Sequence, residues 1–361
     1  MSARPLYGPG FGSYPADDVA WLLTDLSDTE LEAPTEEREE AIQSGAAHYA
    51  ESLPIEFQPS PEYQRLFHTA LDASAARLAQ AVAVITERIL AARGRDAVLV
   101  SLARAGTPIG ILCRRWAAYA HGLDLPHYAV SIVRGRGIDA VALDHLAAHH
   151  DPRSVMFVDG WTGKGAITRE LAAALEGRDF SPELAVLADP GRCVSVYGTR
   201  EDYLIPSACL NSTVSGLVSR TVLNRDLIGP GDFHGAKFYK DLAPADVSNL
   251  FLDAVCRHFP AVDASAAPPQ EDPDWSGWAA VERISAEYGI GDINLVKPGV
   301  GETTRVLLRR VPWKVLARRG ADADLAHIRV LAAERGVPVE EVDADSPYAC
   351  VGLIKPRENR P

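Results

Sequence analysis

The chain has 361 residues, 47% of them hydrophobic and 24% charged, which is ordinary for a globular protein and long enough for two packed units. Its 36 Lys and Arg against 49 Asp and Glu leave a formal charge of −13, a balance that does not suit wholesale nucleic-acid binding. No run of 18 apolar residues and no signal-like apolar segment occurs. Five scattered cysteines without a CxxC pair argue against a disulfide scaffold or a structural zinc site, so the expectation is a cytoplasmic protein with no membrane partner.

Residues 1–55 read as an N-terminal extension packing on a first domain at 56–262, with a helix over Asp17–Leu26. Tyr63–Arg93 carries a long helical pattern, interrupted near Asp72–Ser74. Strand and helix signals then alternate: strand 97–102, helix 107–120, strand 127–133, helix 140–149, strand 154–158, helix 165–176 and strand 183–188. That alternation implies an α/β fold, a parallel sheet with helices on its faces and ligands at the strand C-terminal ends.

The most informative segment is Val155-Met-Phe-Val-Asp-Gly-Trp-Thr-Gly-Lys-Gly-Ala-Ile167. Four apolar residues end at Asp159, and a loop with Gly160, Thr162, Gly163, Lys164, Gly165 and Ala166 opens a helix. Glycines let backbone N–H groups approach phosphate oxygens, a helix N-terminus favours negative charge, and a carboxylate accepts ribose hydroxyls. The spacing fits neither a Walker A loop nor a dinucleotide fingerprint. It resembles the diphosphoribosyl-binding motif of phosphoribosyltransferases, with Gly160 where that family has a second acid and with Lys164 added to the loop. The segment from Ala97 to Cys113 similarly looks like that family's pyrophosphate loop: Arg104 supplies charge, Gly106 and Thr107 supply N–H donors, and Pro108 suits a first helical turn. Arg134 and Arg136, in the stretch Ser131–Asp139, read as a mobile loop closing over a leaving group; a solvated hairpin explains that stretch equally well.

Farther along, Asn211, Ser212 and Thr213 are candidates to line the pocket, or else a polar helix cap. His234, Lys237 and Tyr239 are substrate contacts or a packed aromatic corner. His145, His149 and His150 lack an acidic or cysteine partner at ligand spacing, and no metal site is expected there. Residues 263–274, rich in Pro, Ala, Asp and Ser, read as a linker to a second domain at 275–361. Residues 281–361 hold 13 Lys and Arg against 12 Asp and Glu, whereas the preceding 280 residues have a balance of −14. The tail reads as a loop (Lys297–Glu302), a basic helix (Thr303–Arg310), a strand (Val311–Ala317), a helix (Asp324–Arg335) and strands at Val337–Val342 and Ala349–Ile354.

Taken together, Ile42–Gly45, His48-Tyr49, Leu53–Glu56, FVDGWTGKGAI, LNSTVSGLVSRT and FHGAKFY resemble the StiP-type family of bacterial tellurium-resistance and stress gene clusters over about 30–260. The resemblance implies a phosphoribosyltransferase-like domain, although members also carry a cysteine-protease name. The tail resembles a Pelota-type RNA-binding domain, with Lys297, Gly299, Gly301, Arg305, Arg309 and Arg310 as the implied RNA contacts. The expected chemistry is transfer of ribose-5-phosphate from phosphoribosyl diphosphate to an acceptor. Asp159 would hold the ribose, Arg104, Arg134 and Arg136 would face pyrophosphate, and Mg²⁺ would be bridged mainly by substrate. A sugar-phosphate sensor coupled to RNA, and a protease built on Cys209, stand as alternatives.

Overall fold

A computed structural model describes residues 3–33, 50–56 and 58–355; the motifs at Ile42–Gly45 and His48-Tyr49 lie outside the described residues. The first segment departs from its predicted helix. Ala20–Leu22 (β1) and Thr24–Asp25 (β2) are strands, and β1 joins the central sheet with Leu22 opposite Val130. Trp21 packs into the core on one face of that sheet and Leu22 into the core on the other. A short run buried on both sides shows no alternation, so its periodicity does not separate strand from helix. Glu32–Ala33 (β3) and Leu53–Pro54 (β4) pair in parallel as a separate two-stranded sheet.

Pro61–Arg93 (α1) starts where Ser60 accepts the Tyr63 N–H, carries Pro61 in its first turn and ends at Gly94. The predicted interruption does not occur. Ser74 is buried and donates to the carbonyl of Ala70 at 2.6 Å, so its hydroxyl is satisfied inside the helix.

The alternating units follow: Val98–Ala103 (β5), Thr107–His121 (α2), His127–Val133 (β6), Gly137–Ile138 (β7), Ala140–His149 (α3), Val155–Trp161 (β8), Ala166–Ala174 (α4) and Leu184–Ala188 (β9). Val196–Thr199 (β10) adds an edge strand. The order is β1-β6-β5-β8-β9-β10, parallel throughout, with β7 antiparallel to β6. The chain steps from β5 to β6 on one side and to β8 on the other, which makes the C-terminal ends of β5 and β8 the switch point of the sheet. Strand residues alternate between two cores. Leu99, Met156 and Val158 face α1 and α2; Val98, Val100 and Phe157 face α3 and α4.

Gly198 is the reason β10 is hard to read from sequence. A Cβ there would stand 2.4 Å from the Ala81 carbonyl of α1 and 2.7 Å from the Leu187 carbonyl. Gly198→Ala is therefore expected to cost about 2 kcal/mol, because both neighbours are backbone; urea unfolding followed by circular dichroism reads this as a lower midpoint.

The remaining elements are Gly235–Ala236 (β11), paired with β2, and Ser248–Cys256 (α5), which packs against α1 and α2. Beyond them come Ser276–Glu287 (α6), Val296–Pro298 (β12), Val300–Arg309 (α7), Pro312–Arg318 (β13), Asp322–Glu334 (α8), Val339–Val342 (β14) and Cys350–Ile354 (β15). These form a small mixed sheet, ordered β12-β15-β13-β14, with α7 and α8 packed together. The apolar side chains of α7 and α8, including Val300, Leu307 and Leu325, are continuous with the core of the first domain. Residues 263–274 lie along that domain: the Pro268 carbonyl accepts from Arg88, and Glu271 pairs with Arg192. Among the described residues no helix is long and apolar enough to cross a membrane.

Candidate active site at the sheet edge

Asp159 stands at the end of β8, beside β5, with Ser101 opposite Val158 in register. Its Oδ1 accepts the Gly160 N–H at 2.7 Å. Burial pushes its carboxyl up to about 7, partly countered by that N–H and by the charge of Arg305. The side chain opens into a cleft of about 290 Å³ lined by Ala105, Trp161, the Gly163–Ile167 turn, Lys297, Pro298, Glu302 and Arg305. Gly163, Lys164, Gly165 and Ala166 thus come together with Asp159, and the N-terminus of α4 faces the same space.

The cleft is positively charged. Burial and the fields of Lys297 and Arg134 lower Lys164 to about 8, and burial likewise lowers Lys297. Lys164 donates to the Ile293 carbonyl at 2.7 Å. Arg305 lies over the Trp161 ring, 5.0 Å from its centroid, and bonds Glu302 and the Ala208 carbonyl. Two of these cations, Lys297 and Arg305, belong to the C-terminal unit, which covers the sheet edge. Tyr348 fixes the turn by donating to the Gly163 carbonyl at 2.7 Å. Asp202, just past β10, accepts the N–H groups of Val300 at 2.9 Å and Ala349 at 2.7 Å.

Other residues singled out from sequence go elsewhere. Thr162 is buried and donates to Asp189, so it anchors the loop from below. Gly160 is buried against Ala105. Arg104 pairs with Glu56 at 3.2 Å and donates to the Val218 carbonyl. It lines a second cleft, of about 470 Å³, with Asn211 and Thr213, while Ser212 binds the same Glu56. Gly106 caps α2 and Thr107 begins it, and among the described residues the buried Thr107 hydroxyl has no hydrogen-bond partner. Arg134 and Arg136 diverge: Arg134 donates to Asn294, whereas Arg136 pairs with Glu51 at 3.6 Å. Glu170 of α4 accepts the N–H groups of Gly135 and Gly137, which ties that loop down. Gly299 and Gly301 line a small cavity beside Asp202, and Arg310 is exposed. The side chain of Arg309 lies outside the described residues.

His234 donates or accepts at Ser131 (2.8 Å), and its backbone N–H goes to Asp139. Lys237 pairs with Glu32, and burial raises Tyr239, near Glu56 and Arg104. His145 and His149 stack at 4.2 Å, and His150 bonds Tyr128. No three metal-ligating side chains converge among the described residues. Burial pushes the thiols of Cys113 and Cys193 to about 12 and raises those of Cys256 and Cys350; Cys209 is fully buried.

Sequence reasoning passed over Glu302, Trp161, Glu170, Tyr348 and Asp202. Glu302 and Trp161 sit inside motifs already marked, whereas nothing local sets Asp202 apart from other acids after a strand.

Residues 12–256 match the family described as tellurite-like stress resistance cysteine protease StiP, and residues 275–356 match the PELOTA RNA binding domain. A relative from Acinetobacter baylyi, called cysteine protease StiP, is 36% identical over 365 aligned positions that cover 95% of this chain and 94% of that protein.

Proposed function

The chain belongs to the StiP family, and from its Asp159 cleft we propose a phosphoribosyltransferase-like enzyme with a C-terminal domain that binds RNA. One observation carries the reading: Asp159 sits at the switch point of a parallel sheet, between a helix N-terminus and the cations Lys164, Lys297 and Arg305. That set matches a ligand with sugar hydroxyls at one end and phosphate oxygens at the other.

In the proposed reaction the 5-phosphate rests on the Gly163–Ile167 backbone and ribose hydroxyls donate to Asp159. The bond from ribose C1 to the pyrophosphate oxygen breaks, and negative charge grows on the leaving oxygens. Lys164, Lys297 and Arg305 stabilise that charge, and the acceptor's electron pair closes on C1. No protein nucleophile is required. Arg134 adds its field from beyond Lys164, while Arg104 and Arg136 are engaged by Glu56 and Glu51 and stay outside this step. The carboxylates lining the cleft are Asp159 and Glu302, which fits a Mg²⁺ ion held mainly by substrate oxygens and water. Bound there, the ion would neutralise pyrophosphate charge. Calorimetric titration with phosphoribosyl diphosphate and Mg²⁺ tests the reading: saturable binding is expected, and no heat from a folded protein removes it. Binding without pyrophosphate release in the presence of any acceptor assigns the cleft to a sensor.

The name of the Acinetobacter relative points to a thiol nucleophile instead. A nucleophilic cysteine needs a thiolate, and burial opposes that state at Cys113, Cys193, Cys256 and Cys350. Cys209 itself borders the Arg104 cleft, but it is fully buried from solvent. Iodoacetamide at neutral pH is therefore expected to label the native protein slowly at these sites, compared with the urea-unfolded chain. Fast, single-site labelling of Cys209, read by peptide mass, would favour the thiol chemistry.

A further inference from the structure

The loop and helix that match an RNA-binding domain turn their cations inward. Lys297 and Arg305 line the Asp159 cleft, and α7 packs on residues 206–209 of the first domain. At the head of α7, Asp202 of the first domain grips the tail: one carboxylate oxygen takes the Val300 N–H, and the other takes the Ala349 N–H. The approach is close. At Gly299, φ is 94° and a Cβ would stand 3.2 Å from Asp202 Oδ1, so this position needs glycine. An acid that takes the first N–H of a helix and a second backbone N–H beside it, within the field of Arg318, sits where a helix N-terminus would hold a nucleic-acid phosphate. Here the first domain supplies the anion itself.

We propose that this docking is an autoinhibitory contact, in which Asp202 occupies the position of an RNA phosphate and the C-terminal domain must leave the first domain before RNA binds. The inference rests on the RNA reading given above. The docked form is the resting one, because the apolar side chains of Val300 and Leu307 are continuous with the main core. Besides the Asp202 contacts, polar links across the interface include Tyr348 to the Gly163 carbonyl, Lys164 to the Ile293 carbonyl, Arg305 to the Ala208 carbonyl, Tyr63 to the Leu308 carbonyl, Arg134 to Asn294 and Arg77 to Asp324. RNA and a closed cleft then exclude each other, since Lys297 and Arg305 serve only one of them at a time.

The test uses the full chain and a fluorescein-labelled RNA hairpin, with binding read by anisotropy over a series of salt concentrations. Asp202→Ala is expected to tighten RNA binding about 10-fold or more over wild type, with a steeper salt dependence as more phosphates are contacted. Tyr348→Phe removes only the hydroxyl that holds Gly163 and is expected to shift affinity in the same direction by a smaller factor. It decides the matter if Asp202→Ala fails to fold. Equal affinity in wild type and the folded variants overturns the autoinhibition while leaving RNA binding in place. No binding by any form removes the RNA reading, and the inference with it.

Discussion

Asp159→Asn is expected to abolish binding of phosphoribosyl diphosphate, weakening it by about 100-fold or more, while the protein becomes more stable above neutral pH. Ribose hydroxyls donate hydrogen bonds, and a carboxylate accepts them more strongly than an amide, whose nitrogen also faces them as a donor. Calorimetry on both proteins measures the loss. Two buffers of different ionisation enthalpy should also report a proton released when the wild type binds, because Asp159 titrates near 7 and its ligand favours the ionised form. The stability gain follows from the same burial. In the folded chain the carboxyl keeps its proton up to about pH 7, whereas in the unfolded chain it is ionised above about pH 4. Between those values the folded state binds more protons, so wild-type stability falls as pH rises and the loss is complete above pH 7. The cleft leaves the group partly solvated, which limits that loss to about 2 kcal/mol. Asn carries no such titration, and thermal melts from pH 4 to pH 8 should show a wild-type slope that the variant lacks.

The second large effect is expected from Asp202→Ala, at about 4 kcal/mol lost from the docking of the C-terminal unit on the first domain. Two backbone N–H groups, those of Val300 and Ala349, share this carboxylate as acceptor. Truncation leaves them inside the interface without it, and each unsatisfied donor costs about 1–3 kcal/mol. The lesion sits between two packed units, so unfolding should separate into two steps. Hydrogen exchange read by peptide mass is expected to speed up across 296–309 and 348–354, with α1 and β5 unchanged. A single cooperative melt at the wild-type temperature would mean that Asp202 contributes nothing to docking.

The alternation of strands and helices from Val98 to Ala188 was legible because its strands are mostly apolar runs of five to seven residues set between longer helical patterns. Asp159 and its glycine turn were legible for a related reason, since an acid after four apolar residues and before a helix marks the productive edge of a parallel sheet. Trp21-Leu22 defeated the same method, as burial on both faces erases the period. Ser74 was misread as a breaker because its hydroxyl bonds within the helix. The partners of Arg104 and Arg136 were beyond any local pattern: Glu56 and Glu51 approach from the segment before α1, and the pairing exists only once the sheet has formed. Least legible was the composite character of the cleft. Nothing in the spacing of Lys297 and Arg305 tells that they line the same cleft as Asp159, 138 and 146 residues before them.

The position of β1 bears on how the chain is made. Its strand partner β6 follows more than 100 residues later, and the residues that flank β1 are held by partners that arrive later still: Tyr14 donates to the Val214 carbonyl, Ser13 to the Gly216 carbonyl, and Thr24 to the Phe233 carbonyl. During synthesis the first 25 residues leave the ribosome long before these partners exist, so the edge of the sheet next to β6 stays open while the rest assembles. Pairing β1 with β6 closes a loop of 108 residues, from Leu22 to Val130, and seating the residues that flank β1 closes loops of about 200, which places this edge among the slower events of folding. Until then Trp21, Leu22 and the bare flank of β6 are exposed together, and a nascent chain stalled before residue 214 presents a sticky edge for holding chaperones to cover.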